Sequence, residues 1–393
     1  MTSVGRMALF AIVAGGLVTG LHVYLYLRLV RDTTASRRVR VWAKAVIAAL
    51  AVALFASRFV YAHLPRAFVV PYATSTWLWM GVATYLVLTF AAVGLARRGF
   101  QLGVWALRAV GRAPEAPPDP GRRLFVSRVV AGSAVAATAG FVAAGAWRCF
   151  QPPKLTEVAL KLPGLPRSLD GFRLVQLSDV HVGGILERRF VRELVQRCNA
   201  EKPDLHVITG DLVDGDVPTL GPAIAELRGL ESRHGTFFCT GNHEYYSGVD
   251  EWAAALPGFG VTVLRNRFVE IGDPGASFDL VGVDDWGHRG LGGYDLQAAT
   301  AGRDPARPAV LLAHQPQNFE AAIARGVGLQ LSGHTHGGQF FPGTAMVSLL
   351  WRFPAGHFTV GDRHIFVSRG TGFWGPPLRL GSAAEIVVVT LLA

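Results

Sequence analysis

Five short stretches of the chain set side chains able to bind metal or carry protons beside turn-forming residues: Asp179-Val180-His181, Gly210-Asp211, Gly241-Asn242-His243-Glu244, His314, and Gly333-His334-Thr335-His336-Gly337-Gly338. Taken singly, most have an ordinary explanation. An Asp and a His two apart occur by chance in many chains, Asp211 suits a helix cap, Asn242 suits a turn, and His314 suits a satisfied core histidine. The His-x-His flanked by glycines resists a packing explanation, because two imidazoles on a backbone free to turn tightly fit an ion better than an apolar core. Carboxylate oxygen with neutral imidazole suits a divalent metal ion of the Mn, Fe or Zn type. The three cysteines, Cys149, Cys198 and Cys239, form no close pair, which argues against a thiolate zinc site or a disulfide framework.

The elements that must position these residues recur. An apolar run from Phe172 ends at Asp179 and His181, where residues i and i+2 of a strand project to one side. A helical pattern follows in Phe190, Val191, Leu194 and Val195. The strand-like run Leu205 to Thr209 leads into Gly210-Asp211, and a further helix is expected over Pro222 to Leu230. Thr236 to Thr240 leads into Gly241-Asn242, Ala309 to Ala313 ends at His314, and Leu329 to Ser332 ends at Gly333-His334, with another strand at Phe278 to Val283. Alternating strands and helices imply an α/β sheet core whose ligands bind beyond the carboxyl ends of the strands.

Read together, D-x-H, G-D-x-x-D, G-N-H-E, a lone His and G-H-x-H resemble the calcineurin-like metallophosphoesterase superfamily over Arg173 to Gly338. The resemblance implies a four-layer α-β-β-α sandwich of two mixed sheets. It places Asp179, His181 and His336 on one ion, Asn242, His314 and His334 on the other, and Asp211 between them. It makes His243 the group that steadies the transition state and protonates the leaving oxygen, oriented by Asp214 of Gly210-Asp211-Leu212-Val213-Asp214. Two divalent ions would neutralise phosphoryl oxygens and lower the pKa of a water, so that hydroxide attacks near neutral pH. The extended Gly333 to Gln339 motif behind apolar segments looks like the bacterial membrane-associated branch of YkuE- and YaeI-like phosphoesterases. Some of that branch cleave the pyrophosphate of UDP-2,3-diacylglucosamine in lipid A synthesis. The serine/threonine phosphatase branch would have Arg where this chain has Gly215, so protein phosphatase activity is not expected. Trp286, His288, Trp351, Phe373 and Trp374 lie in loops that reach toward such a site, the aromatics more as packing than as contacts, and Arg379 is expected to touch a substrate phosphate.

The rest of the chain predicts a membrane region over residues 1–150 and the catalytic domain over residues 151–393. Half of the 393 residues are hydrophobic and 17% are charged. The apolar excess falls before Trp147, in four runs: Met7 to Leu27, Val41 to Leu64 with Arg58 near one end, Pro71 to Ala96, and Leu124 to Trp147. Ala113 to Pro120 reads as a proline-rich linker and Gln151-Pro152-Pro153 as the boundary of the second domain. The net charge of +10 comes largely from arginines in Arg28 to Arg40 and Arg97 to Arg128, which flank apolar runs. Membrane topology therefore explains it better than nucleic acid, and no nucleic-acid partner is expected.

Counting Arg and Lys puts the loops Arg28 to Lys44 and Ala96 to Arg123 in the cytoplasm, the loop Leu64 to Thr76 outside, and the catalytic domain on the extracytoplasmic face of a multi-pass membrane protein. Arg122-Arg123-Leu124-Phe125-Val126 also resembles an internal twin-arginine export signal, with the same outcome. The expected partners are the bilayer and a phosphate ester, for which a lipid-linked substrate suits the tether. The UDP-linked lipid is made in the cytoplasm, which conflicts with an external site. A catalytically inactive membrane sensor is the rival of another class, and the complete ligand set argues against it. A nuclease is disfavoured by the lack of a basic patch with interleaved aromatics in the second half.

Overall fold

The computed structural model describes residues 3–60, 66–109, 119–288 and 293–393. The chain divides into two compact units, Met1–Trp147 and Arg148–Ala393. Residues 113–118 of the expected linker, residues 61–64 of the second apolar run and the side chain of Arg58 lie outside the described residues.

Four long helices dominate the first unit: α1 (Ser3–Tyr26), α2 (Arg37–Val60), α3 (Arg66–Ala109) and α4 (Pro120–Cys149). Windows long and apolar enough to cross a bilayer run over Ala11–Arg31, Arg37–Ser57, Phe68–Ala109 and Pro120–Cys149. Two stretches expected as loops are helical instead. Arg66 to Thr76 and Arg97 to Ala109 both belong to α3, because Arg is a good helix former and the basic flank of a span simply continues it. Leu25, Ala83, Leu86, Phe90, Ala131 and Ala134 form the small core of this unit. His22 is tolerated inside because both ring nitrogens are used: the Trp79 indole donates to Nε2 at 2.9 Å, and Nδ1 lies 2.8 Å from the Val18 carbonyl. The basic segments meet where Arg128 donates to the Thr33 carbonyl at 2.9 Å, and within the first of them Arg40 donates to the Arg31 carbonyl at 3.0 Å.

In the second unit twelve strands form two six-stranded sheets. The strands are β1 (Lys154–Lys161), β2 (Phe172–Leu177), β3 (Leu205–Thr209), β4 (Thr236–Cys239), β5 (Val261–Val263), β6 (Arg267–Asp273), β7 (Ala276–Gly282), β8 (Ala309–Leu312), β9 (Val327–Ser332), β10 (Gly356–Val360), β11 (Arg363–Val367) and β12 (Glu385–Leu392). One sheet runs β1-β12-β2-β3-β4-β5 and the other β10-β11-β9-β8-β7-β6. Both are mixed. β2 to β5 are parallel while β12 is antiparallel to β2, and β7, β8, β9 and β11 are parallel with antiparallel β6 and β10 at the edges.

Alternation of side chains builds the layers. Leu174, Leu205, Val207 and Phe237 of the first sheet meet Leu280, Val310, Leu312, Leu329 and Leu331 of the second in one core between the sheets. The opposite face of the first sheet, with Val175, Leu177, Ile208 and Phe238, packs on Val191, Leu194 and Val195 of helix α5 (Arg188–Ala200). Val281, Leu311 and Ile365 of the second sheet pack outward on Leu296 and Phe319 of short helices. Strands buried on both faces become nearly continuous apolar runs, and the result is the expected helix-sheet-sheet-helix sandwich.

Leu331 is fully buried in the core between the sheets, two residues before Gly333. Leu331→Ala is expected to cost about 2–5 kcal/mol, read from the denaturation midpoint of the detergent-solubilised chain by tryptophan fluorescence. An unchanged midpoint would show that the sheets do not pack there.

Candidate metal centre

The carboxyl ends of β2, β3, β4, β8 and β9 carry the site. Asp179 and His181 follow β2, Asp211 and Asp214 follow β3, Asn242 and His243 open helix α6 (Asn242–Ser247) after β4, His314 follows β8, and His334 and His336 follow β9. Beyond the strand ends the backbone curls into the left-handed region: φ is 52° at Asp179, 51° at His181, 52° at Asp211, 71° at His334 and 50° at His336. Non-glycine residues are held there only when their surroundings over-determine them, and such positions cluster at functional sites. This curl, rather than strand alternation, brings Asp179 and His181 together. Bonds to the neighbouring loop fix it, with Asp179 N donating to Gly210 O and His181 N to Asp211 O, both at 3.1 Å. Gly210, at φ 81°, could carry no side chain: a Cβ there would lie 2.6 Å from Gly241 N and 2.7 Å from His314 Nδ1.

Asp211 Oδ2 is the focus. His314 Nε2 lies 3.1 Å from it, His181 Nε2 3.8 Å and His243 Nε2 3.9 Å. The other oxygen, Oδ1, accepts from His243 N at 2.9 Å. On one side His336 Nε2 approaches Asp179 Oδ1 at 3.3 Å and His181 Nε2 at 3.1 Å. On the other His334 Nδ1 approaches His314 Nε2 at 3.3 Å. Acceptors turn three rings inward. Asp214 Oδ1 takes His181 Nδ1 at 3.1 Å and His243 Nδ1 at 2.6 Å, and the Thr209 carbonyl takes His314 Nδ1 at 2.8 Å. Each bond leaves an Nε2 facing the cluster, as an oriented metal ligand requires.

Charge is divided sharply among these groups. Burial raises the Asp179 pKa. Burial would also raise Asp211 and Asp214, but the surrounding imidazoles overcome it and hold both well below the usual carboxylate range. For His181, burial lowers the pKa, yet Asp214, Asp211 and Asp179 more than offset it and the value rises to about 9. His314 is likewise raised by Asp211 against burial. Burial and His314 push His334 down to about 4, while burial and His181 push His336 down.

The sequence profile of the calcineurin-like phosphoesterases matches residues 172–338. A transmembrane protein with a metallophosphoesterase domain from Bos taurus is 36% identical over 376 residues, covering 90% of this chain and 81% of the relative. This chain belongs to the calcineurin-like phosphoesterases. An uncharacterised metallophosphoesterase of Helicobacter pylori is 36% identical over 254 residues, covering 63% of this chain and 67% of the relative. The Bacillus subtilis metallophosphoesterase YkuE is 31% identical over 281 residues, covering 69% of this chain and 97% of the relative. As a calcineurin-like phosphoesterase the chain is a phosphoric ester hydrolase, and its four apolar helices and its bovine relative associate it with a membrane.

The residues present fit a dinuclear metal site. Three groups of donor atoms, Asp179-His181-His336, His181-Asp211-His243 and Asp211-His314-His334, each lie within 4.8 Å of one another. Asn242 supplies the remaining sign: its Oδ1 is buried and has no hydrogen-bond partner among the described residues, a loss that a metal ion would make good.

Arg379 is not a phosphate contact. It is 1% exposed, and its guanidinium donates to the carbonyl of Arg369 at 2.7 Å and to that of Gly372, with one nitrogen 3.3 Å from His336 Nδ1. Backbone carbonyls accept from both terminal nitrogens, while its buried Nε has no hydrogen-bond partner among the described residues, and the side chain braces the His336 turn from behind. Of the loop residues, Trp374 stands edge-on to His243 with ring centres 5.6 Å apart, and Trp351 edge-on to His334 at 5.3 Å. His288 stacks on Tyr245, Trp286 meets Tyr294, and Phe373 is buried against Phe150.

Two residues near the metals carry weight that the sequence reading did not give them. Glu244 is buried and accepts from the backbone nitrogens of Asp211 at 3.0 Å, Leu212 at 2.8 Å and Gly241 at 2.6 Å, pinning the β3 and β4 loops together. Burial and the Asp211 charge raise its pKa to about 7. Exposed Tyr246 adds a second ring beside His243 at 5.3 Å. Their signal was adjacency to Gly241-Asn242-His243.

Metal ligation needs neutral imidazole, and in the ion-free protein His181 and His314 hold their protons at pH 7 because their pKa values are raised. Ion binding is therefore expected to release protons, on the order of two per chain, with apparent affinity rising as pH climbs toward about 9, the value for His181. Calorimetric titration in buffers of different ionisation enthalpy reads this directly. Heats independent of buffer would contradict it.

Proposed function

We propose that the chain is a multi-pass membrane phosphoesterase in which residues 1–150 form the membrane region and residues 151–393 the catalytic domain, hydrolysing a phosphomonoester, phosphodiester or pyrophosphate borne by a lipid-linked substrate. Asp179, His181 and His336 would hold one divalent ion, Asn242, His314 and His334 a second, and Asp211 would serve both. The observation that carries this is the single Asp211 oxygen ringed by three imidazole nitrogens. Bound there, two divalent ions supply neutralisation of phosphoryl charge and a lowered pKa for water.

The chain's own residues do the rest. His243, tied through Nδ1 to Asp214, keeps Nε2 turned to the cluster and gives its proton there to the leaving oxygen. Asp214 fixes that ring while sharing the same oxygen with His181. Geometry alone also permits His243 as a ligand. What favours the acid role is its greater exposure than His181 or His314, as a leaving group requires. That group departs past Trp374 and Tyr246, the rings flanking His243. The basic segments that meet in the first unit support a cytoplasmic location for them, and hence an extracytoplasmic catalytic domain.

The detergent-solubilised chain with Mn²⁺ is expected to hydrolyse bis-p-nitrophenyl phosphate, and Asp211→Ala to abolish it; unchanged activity in that variant would remove the assignment. His243→Ala should retain both ions by metal analysis while turnover falls about 10²–10⁴-fold. An emptied site would make His243 a ligand instead. Protease added to intact cells should cleave the catalytic domain, and protection would place it inside.

A further inference from the structure

We propose that the helix Gly343–Leu350 lies in the surface of a lipid bilayer and holds the rim of the metal cluster against it. The inference rests on the phosphoesterase reading and names the phase from which that site draws its substrate. From Gln339 to Trp351 the chain has no charged residue. Within it Met346, Leu349 and Leu350 are 55%, 84% and 75% exposed, and Phe341 just before the helix is also exposed. Their spacing of three and four puts the three helical residues on one stripe. A stripe of this kind facing water marks an interaction surface.

The helix is fixed to the site. It begins five residues after Gly338, which closes the His336 turn, and the chain between doubles back, with Thr344 N donating to Phe340 O at 3.2 Å. The approach is so close that a Cβ on Gly338 would collide with the backbone of Gly343 and Thr344. Gln339 ties the same turn to the Trp374 loop, donating to Trp374 O and accepting from Trp374 N. Trp351, at the carboxyl end of the helix, stands against His334. Two indoles therefore border the cluster, Trp351 at the end of the stretch that carries the apolar stripe and Trp374 on the loop bonded to Gln339, and Trp is the residue that settles at membrane interfaces.

A bilayer is the occupant because the chain itself carries four helices fit to cross one, so that this apolar phase is held at high effective concentration. The depth is interfacial. The helix has only eight residues, and the Arg352–Glu320 ion pair follows it directly. A phosphoester at headgroup depth then reaches the metals without leaving the membrane, whereas a water-soluble ester gains nothing from the helix.

The full chain is placed in nanodiscs, one chain per disc, with Leu349→Cys or Leu350→Cys carrying an environment-sensitive fluorophore. The native cysteines are buried, so labelling is selective. Glu193→Cys, on an exposed position of α5, serves as the aqueous control. Expected is quenching of both helix probes by spin-labelled phospholipid and protection from iodide, with the control showing the reverse. Iodide-accessible helix probes without lipid quenching would overturn the proposal, as would protection without lipid quenching, which would place protein on the helix. In parallel, Leu349→Asp with Leu350→Asp should lower turnover of a phospholipid-borne phosphoester about tenfold while leaving bis-p-nitrophenyl phosphate hydrolysis unchanged, and equal turnover of the lipid ester would count against it. Failure of the unsubstituted chain to hydrolyse either ester sinks the phosphoesterase reading and leaves the quenching result standing.

Discussion

His314 joins the two sheets where the chemistry is. Its Nδ1 donates to Thr209 O of the first sheet, its own carbonyl accepts from Gly333 N of the second, and its Nε2 lies 3.1 Å from Asp211 Oδ2. Other bonds cross the same seam: His334 N donates to the Asp179 carboxylate, and Gln176 donates to Ser332 O. Between these bonds the sheets meet largely through apolar side chains, which resist separation but tolerate sliding. Polar bonds at the rim fix the offset between them. Because the clustered donor groups come from both sheets, an ion that binds them would stabilise the packing of the whole domain, and loosening the packing would weaken its binding by the same free energy.

The left-handed turns at Asp179, His181, Asp211, His334 and His336 store strain that the isolated loops would release. What holds them is a set of carboxylate acceptors with several donors each. Glu244 gathers the β3 and β4 loops, Asp179 gathers the β9 loop and Ser178, and Asp214 gathers two imidazoles. Arg379 does the converse from behind, its two terminal nitrogens donating to carbonyls. Negative charge is thus concentrated in a small volume, where it raises the pKa of His181 and His314, while burial lowers those of His334 and His336.

What the sequence showed of this follows from burial. β2, β3, β4, β8 and β9 are covered on both faces and read as apolar runs that end at polar residues. β1, β6 and β10 are edge strands with mixed exposure, and their pattern is too weak to stand out. β12 is apolar but ends in no chemically active residue, so nothing singled it out, although it sits between β1 and β2. The side chains that converge were legible because their types are ill suited to a core. Arg379 was misjudged for a related reason. Composition shows a cation near a site but not whether carbonyls have already enclosed it, and that depends on the curl of residues 369–382.

Tethering alone brings a catalytic domain near a membrane without choosing which face meets it. The choice is a matter of surface chemistry. Elsewhere the second unit's exterior carries ion pairs such as Arg188–Glu226, Arg192–Glu226 and Arg233–Asp273, and such surfaces resist losing their water. The stretch beside the His336 turn has no charge to desolvate. Moving Met346, Leu349 and Leu350 out of water gains about 25 cal/mol for each Å² of apolar surface, a modest sum that becomes decisive when the tether has already removed most of the cost of association. Orientation of the site toward lipid then follows from where the uncharged helix lies relative to the metal ligands, which is set by the backbone contact between Gly338 and Gly343.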